Sequence, residues 1–291
     1  MSSTLITNDR DGIQENQDWS SLVRVVALLD KNGDSYGVEQ IDGKPRVSSM
    51  PYAYDIAEGH ISEHQAFGGF GSRDDIAIVS GGVDMWTGSA SVVPIPADAG
   101  EQLSVVSTSV QDNPSGTGAH ELHIYYLDAD GVMVSEVLEL DGTTEVDLIE
   151  TNVRFVQDIH VHGAKAAGLI TIYKKGASTT IYSEIEVGDT QHRNTSRMVP
   201  ANSIYYITDV YVDVVGADKV ARVNLMITAH KLELISRIFL PYGEWANTYG
   251  KTLTLPLAVP AFAIVKFASF VPTGKDGAYV SAGHRGWIES A

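Results

Sequence analysis

Short segments in which Val, Ile, Leu and Tyr alternate with polar residues, cut every few positions by Gly, Asp or Asn, fill most of this chain. Alternation with a period of two marks half-buried β-strands, and almost nothing here keeps the apolar spacing of a long helix. An all-β fold follows. The pattern is clearest from Gly116 to Leu148. There Glu121 to Leu127 leads into the turn Asp128-Ala129-Asp130-Gly131, a second segment runs from Val132 to Leu140, and Asp141-Gly142 precedes an apolar run from Val146 to Ile149. Asp-Gly between alternating segments marks a tight hairpin, because glycine accepts the positive φ such turns require. A three-strand meander is predicted.

With 291 residues the chain can form two domains, each with its own core. Strand and turn spacing predicts two antiparallel β-sandwich domains, jelly-roll-like, over residues 86–176 and 177–291, behind an extended N-terminal arm over residues 1–85. The two domains are faintly alike. Pro94-Ile95-Pro96-Ala97 precedes a strand, a loop and Ala119 to Leu127, while Val199-Pro200-Ala201 precedes a strand, a turn and Ala221 to Thr228 at nearly equal spacing. Ala221, Val223, Leu225, Ile227 and Ala229 share one face and are expected in the core.

The arm starts polar, holds a candidate hairpin between Leu22 and Ile41, and loses its period from Pro45 to Trp86, where Gly68-Gly69-Phe70-Gly71 falls. Its aromatics Trp19, Tyr52, Tyr54, Phe67 and Phe70 need a surface to cover them. They are the expected partner-docking residues, lying across a neighbour or over the first domain. Phe262 to Ala268 is apolar on both faces apart from Lys266. It reads as a central strand or, through Phe262, Ile264 and Phe267, as the interface of a homo-oligomer.

A net charge of −17 concentrates in the first 176 residues and leaves the C-terminal stretch neutral. Such an acidic surface repels phosphate backbones and anionic headgroups, so nucleic acid and membranes are not expected as direct partners. Cysteine is absent, which removes disulfides, thiolate zinc sites and thiol nucleophiles and suits a reducing cytoplasm. No nucleophile elbow or phosphate-cradling glycine loop occurs.

The histidines offer the first candidate metal ligands. Asp158, His160 and His162 share one face of a predicted strand, with Phe155, Ile159 and Val161 facing the core, and His120 with His123 forms another candidate pair. Exposed strand faces commonly carry such residues, so a solvated or interface face is expected. Asp30-Lys31-Asn32-Gly33-Asp34 lacks the glycine and glutamate positions of a calcium loop. Glu58, His60, Glu63 and His64 lack zinc-protease spacing. No catalytic residue, cofactor or metal is expected.

Gly43 to His60, Val105 to Ser109 with Gly116 to Ala119, Tyr126 to Ala129, Leu140 to Thr144, and Val199 to Asn202 with Tyr206 to Asp209 together resemble segments of virion structural proteins of tailed bacteriophages. The resemblance covers roughly residues 40 to 215. It implies a non-enzymatic particle component made in the host cytoplasm and residing in the virion. The leading expectation is a capsid decoration or cement protein that binds the major capsid protein or other virion proteins and assembles as a homo-oligomer, with a trimer preferred. The alternative is a neck, tail-fibre or baseplate component that binds host surface glycans.

Overall fold

The structure is a computed structural model that describes residues 40–41, 44–45, 56, 61, 63–76, 82–215, 222–229, 232–234, 247–270 and 278–290. The chain divides into two compact units, Met1–Pro51 and Tyr52–Ala291. In the first, β1 (Gln40–Ile41) and β2 (Lys44–Pro45) pair antiparallel.

The second unit opens with β3 (His64–Ile76) and β4 (Val83–Asp84). There follow β5 (Leu103–Ser107), β6 (Ala119–Asp128), β7 (Met133–Glu139), β8 (Val146–Asp147), β9 (Val153–Gly163), β10 (Ile170–Lys174) and β11 (Ala177–Ile185). It ends with β12 (Arg197–Met198), β13 (Ser203–Val215), β14 (Arg222–Ala229), β15 (Leu232–Leu234), β16 (Asn247–Val259), β17 (Ile264–Phe270) and β18 (Ala278–Ser290). The expected all-β class is observed.

Two sheets share the first large core. One has the order β11-β10-β5-β8 and the other β7-β6-β9. Leu103, Val105, Ile170 and Ile172 from one meet Leu122, Ile124, Ile159 and Val161 from the other. The second large core lies likewise between β16-β13-β18-β3 and β12-β17-β14-β15, with β4 added to β17. The pairing repeats strand for strand. β5 pairs with β8 and β10 while β6 pairs with β7 and β9; eight strands later β13 pairs with β16 and β18 while β14 pairs with β15 and β17.

The predicted hairpin at Asp128-Ala129-Asp130-Gly131 is present, with Gly131 at φ 78°. The meander is not. After Asp141-Gly142 the chain leaves that sheet, and β8 pairs with β5 of the facing sheet, so β6 takes β9 as its second neighbour. Val223, Leu225 and Ile227 are buried as expected.

One buried carboxylate holds the first half together. Asp112, in the β5–β6 loop, is 0% exposed and accepts hydrogen bonds from Ser107 Oγ at 2.5 Å, Ala119 N at 2.8 Å, Ala167 N at 2.8 Å and Gly168 N at 2.9 Å. A single side chain thus satisfies backbone donors of two distant loops that would otherwise be stranded in the interior.

Residues 64–76 and 82–85 require a correction. They are not an arm outside the domains. β3 pairs with β18 over nearly its whole length, and Ile76, Val83 and Met85 lie in the second core. The irregular composition of β3 has a steric cause. A Cβ on Gly69 would lie 2.6 Å from Thr195 O, and one on Gly71 would lie 2.4 Å from Met85 O and 2.7 Å from Thr195 N. Neighbouring backbone crosses the strand so closely that only glycine fits. The first half also runs beyond residue 176, since β11 pairs with β10 and contributes Tyr182 and Ile185 to the first core.

Candidate functional site

A cleft of 870 Å³ opens where β3, β13 and β18 meet the segment 191–197, with Asp158 of β9 on its wall. Aromatic rings line it. Phe70 stacks on Tyr211 with ring centroids 6.0 Å apart, and Trp287 stacks on Tyr206 at 5.7 Å. Gly283 permits the first stack, because a Cβ there would lie 2.1 Å from Tyr211 Oη. Beside the rings, Asp209 accepts from Thr252 Oγ1 at 2.6 Å, Thr208 Oγ1 at 2.9 Å and Arg285 Nε at 3.2 Å. Burial pushes that carboxyl upward, but these three hydrogen bonds outweigh it and hold the group below the usual aspartate range.

Behind the cleft runs a polar strap, Asn194 to Arg197, all buried, of which Arg197 reaches the cleft wall. Thr195 N donates to Met85 O, Phe267 N donates to Thr195 Oγ1, and His284 Nε2 donates to Thr195 O at 2.9 Å. His284 Nδ1 accepts from Tyr205 Oη at 2.8 Å. Both ring nitrogens are therefore used by the neutral imidazole, and burial lowers its pKa to about 3. Arg197 Nη1 donates to Asn194 O and Ser196 O. No sequence period announced this strap, because Thr195 is held by backbone from remote positions, Met85 and Phe267.

Ser183, His192 and Asp158 stand in a row: Ser183 Oγ is hydrogen-bonded to His192 Nδ1 at 2.8 Å, and His192 Nε2 lies 2.9 Å from Asp158 Oδ1 as an ion-pair contact. These residue types serve nucleophilic catalysis when the hydroxyl faces a substrate. Ser183 is 1% exposed. The row instead anchors β11 and residue 192 to β9.

On the outer face of β6 and β9 three imidazoles come together. In register, His123 lies opposite His160 and Glu121 opposite His162. Ring centroids of His123 are 5.0 Å from His160 and 4.3 Å from His162. Burial, followed by the neighbouring His123, lowers the His160 pKa, so its neutral form is favoured. His120 is not part of the group: the register shifts between Ala119 and Glu121, and its Nε2 lies 3.1 Å from Gly116 O. Of the expected pairs, His160 and His162 thus come together with His123, while His120 stands apart.

The other expected residues separate. Trp19, Tyr52, Tyr54, Glu58, His60 and Asp30 to Asp34 lie outside the described residues. Phe67 is half-buried, edge-on to Tyr205 at 4.9 Å and packed on the second core, whereas Phe70 is 40% exposed. Among the proposed interface residues, Phe267 is 1% exposed inside the chain's own core. Phe262 lies 4.5 Å under the Arg154 guanidinium, and both it and Ile264 pack on a small cluster of Leu127, Phe155 and Met198. This corrects the interface reading of the two-faced segment: β17 is a central strand with β12, β14 and β4 as partners. Lys266, its one charge, is neutralised by buried Asp84 at 2.8 Å.

No protein-family model matches the chain, and no curated protein matches it. Among solved structures, the infectious bursal disease virus VP2 subviral particle overlaps with 78% of this chain and 72% of that one, at 9% identity and a TM-score of 0.22. A likeness that low carries no argument.

Proposed function

We propose that this chain is a non-enzymatic structural component of a tailed-phage virion, a decoration or cement protein of the head built as two tandem β-sandwiches. The observation that carries the reading is where the phage-like segments fall. Val105 to Ser109, Gly116 to Ala119 and Leu140 to Thr144 surround the Asp112 hub: Ser107 and Ala119 donate to its carboxylate, and Gly142 N donates to its carbonyl at 2.7 Å. Tyr126 to Ala129 enters the β6–β7 turn, and Val199 to Asn202 leads into β13, with Asn202 at φ 54°. The shared residues are determinants of shape rather than of chemistry, as suits a building block whose function is its surface.

A homo-oligomer, with a trimer preferred, and the major capsid protein as partner belong to the same proposal. A closed ring buries surface without open-ended growth. The test is to add the purified chain to heads assembled without it and image them. Density at regular positions on the shell, with slower loss of head integrity on heating, is the expected result; heads that stay bare refute the decoration role.

The aromatic cleft favours a second reading, a neck or tail component that binds host surface glycans. Flat rings of Phe70, Tyr211 and Trp287 beside Asp209 and Arg285 suit sugar faces and hydroxyls. Density at the neck or tail, with glycan binding lost in Trp287→Ala, would select it.

A further inference from the structure

The geometry points to a divalent transition-metal site formed by His123, His160 and His162, clamping β6 to β9. One ring nitrogen from each of the three lies within 4.8 Å of the other two. At zinc–nitrogen distances of about 2.0–2.1 Å, ligand nitrogens of a tetrahedral ion stand about 3.3 Å apart. Closing the present gap asks the three side chains, half-buried or exposed, to turn toward one another. The ligands sit on two paired strands, which fix their spacing more firmly than loops would.

The chemistry selects the ion. Three imidazoles in a chain without cysteine suit zinc, nickel or copper, and they do not suit calcium or magnesium, which take oxygen shells. Three ligands leave a fourth position. Glu121 stands next to it: opposite His162 in register, with Oε2 3.8 Å from His123 Nε2. Its carboxylate can complete the shell or orient His123 as an outer partner. Tyr125, directly along the strand, stacks on His160 with centroids 5.8 Å apart and limits that ring's swing. The site is independent of the proposed role in the particle and would exist on either side of that question.

The test uses the full chain without a polyhistidine tag, stripped with a chelator and dialysed against zinc chloride. One zinc per chain by elemental analysis is expected, with a melting temperature that rises until one equivalent is bound. Cobalt in place of zinc should give the strong visible absorption of a tetrahedral centre. The triple variant H123Q/H160Q/H162Q should lose the ion and the thermal shift while keeping the wild-type far-ultraviolet dichroism and metal-free melting temperature. Glu121→Gln should weaken binding by about tenfold, and His64→Gln, remote from the cluster, should leave it unchanged. Substoichiometric zinc in the wild type, or an unchanged zinc content in a folded triple variant, overturns the site. Virion imaging does not bear on either result.

Discussion

Replacing Asp112 by alanine tests whether one buried carboxylate holds the two sheets of the first half in register. The change removes four acceptor interactions at once: three backbone N–H groups, of Ala119, Ala167 and Gly168, and the Ser107 hydroxyl lose their partner. Hydrogen bonds to a charged group contribute about 1.5–3 kcal/mol each, but four donors converging on one carboxylate do not add independently. Water entering the space vacated by the side chain recovers part of the loss. A net cost of about 3–5 kcal/mol results, comparable to breaking a buried ion pair from one side. At about 2–4 °C per kcal/mol for a unit of this size, the melting temperature should fall by roughly 10 °C. Asp112→Asn, which keeps the shape and can set its NH2 at the Oδ2 position to donate to Ser107 Oγ while opposing only the Gly168 amide, should fall between alanine and wild type. Calorimetry reads the global loss, and hydrogen exchange at Ala119, Ala167 and Gly168 should accelerate well ahead of β13 and β18. A melting temperature within about 2 °C of wild type, with those three amides still protected, would refute the hub.

Gly71→Ala should prevent normal folding or cost several degrees of melting temperature, because the added Cβ meets backbone of Met85 and Thr195 that cannot yield, whereas Gly250→Ala, with nothing within 4 Å, should melt as wild type. A chain starting at Trp86 should aggregate or lose its cooperative melt, since it lacks β3 and the core residues Ile76, Val83 and Met85, while one starting at Tyr52 should stay soluble and melt cooperatively. Stability should fall as pH drops from about 6.5 to about 3, by about 1.4 kcal/mol per pH unit for His284 alone, because the unfolded imidazole takes a proton that the folded one refuses. Denaturant titrations across that range should show the slope reduced by one proton in His284→Gln; an unchanged slope would mean that His284 is not the group refusing the proton.

Local pattern was enough to establish the all-β class, the hairpin at Asp128 to Gly131, the inward face of Val223, Leu225 and Ile227, and the shared face of His160 and His162, because alternation and turn chemistry act between neighbours in the chain. It even exposed the faint likeness between the halves that the recurring strand pairing now makes visible. Tertiary contacts decided the rest. The glycines of β3 looked like a loop because the backbone that crosses them comes from residues 85 and 195. Phe267 looked like an interface residue because β4, which pairs beside it, lies far back in the sequence, as does Asp84, the partner of Lys266. His123 joined His160 and His162 because the pairing of β6 with β9 sets it opposite His160, a register that neither strand fixes alone. A strand's own residues say which of them point the same way; only the partner strand says what they meet.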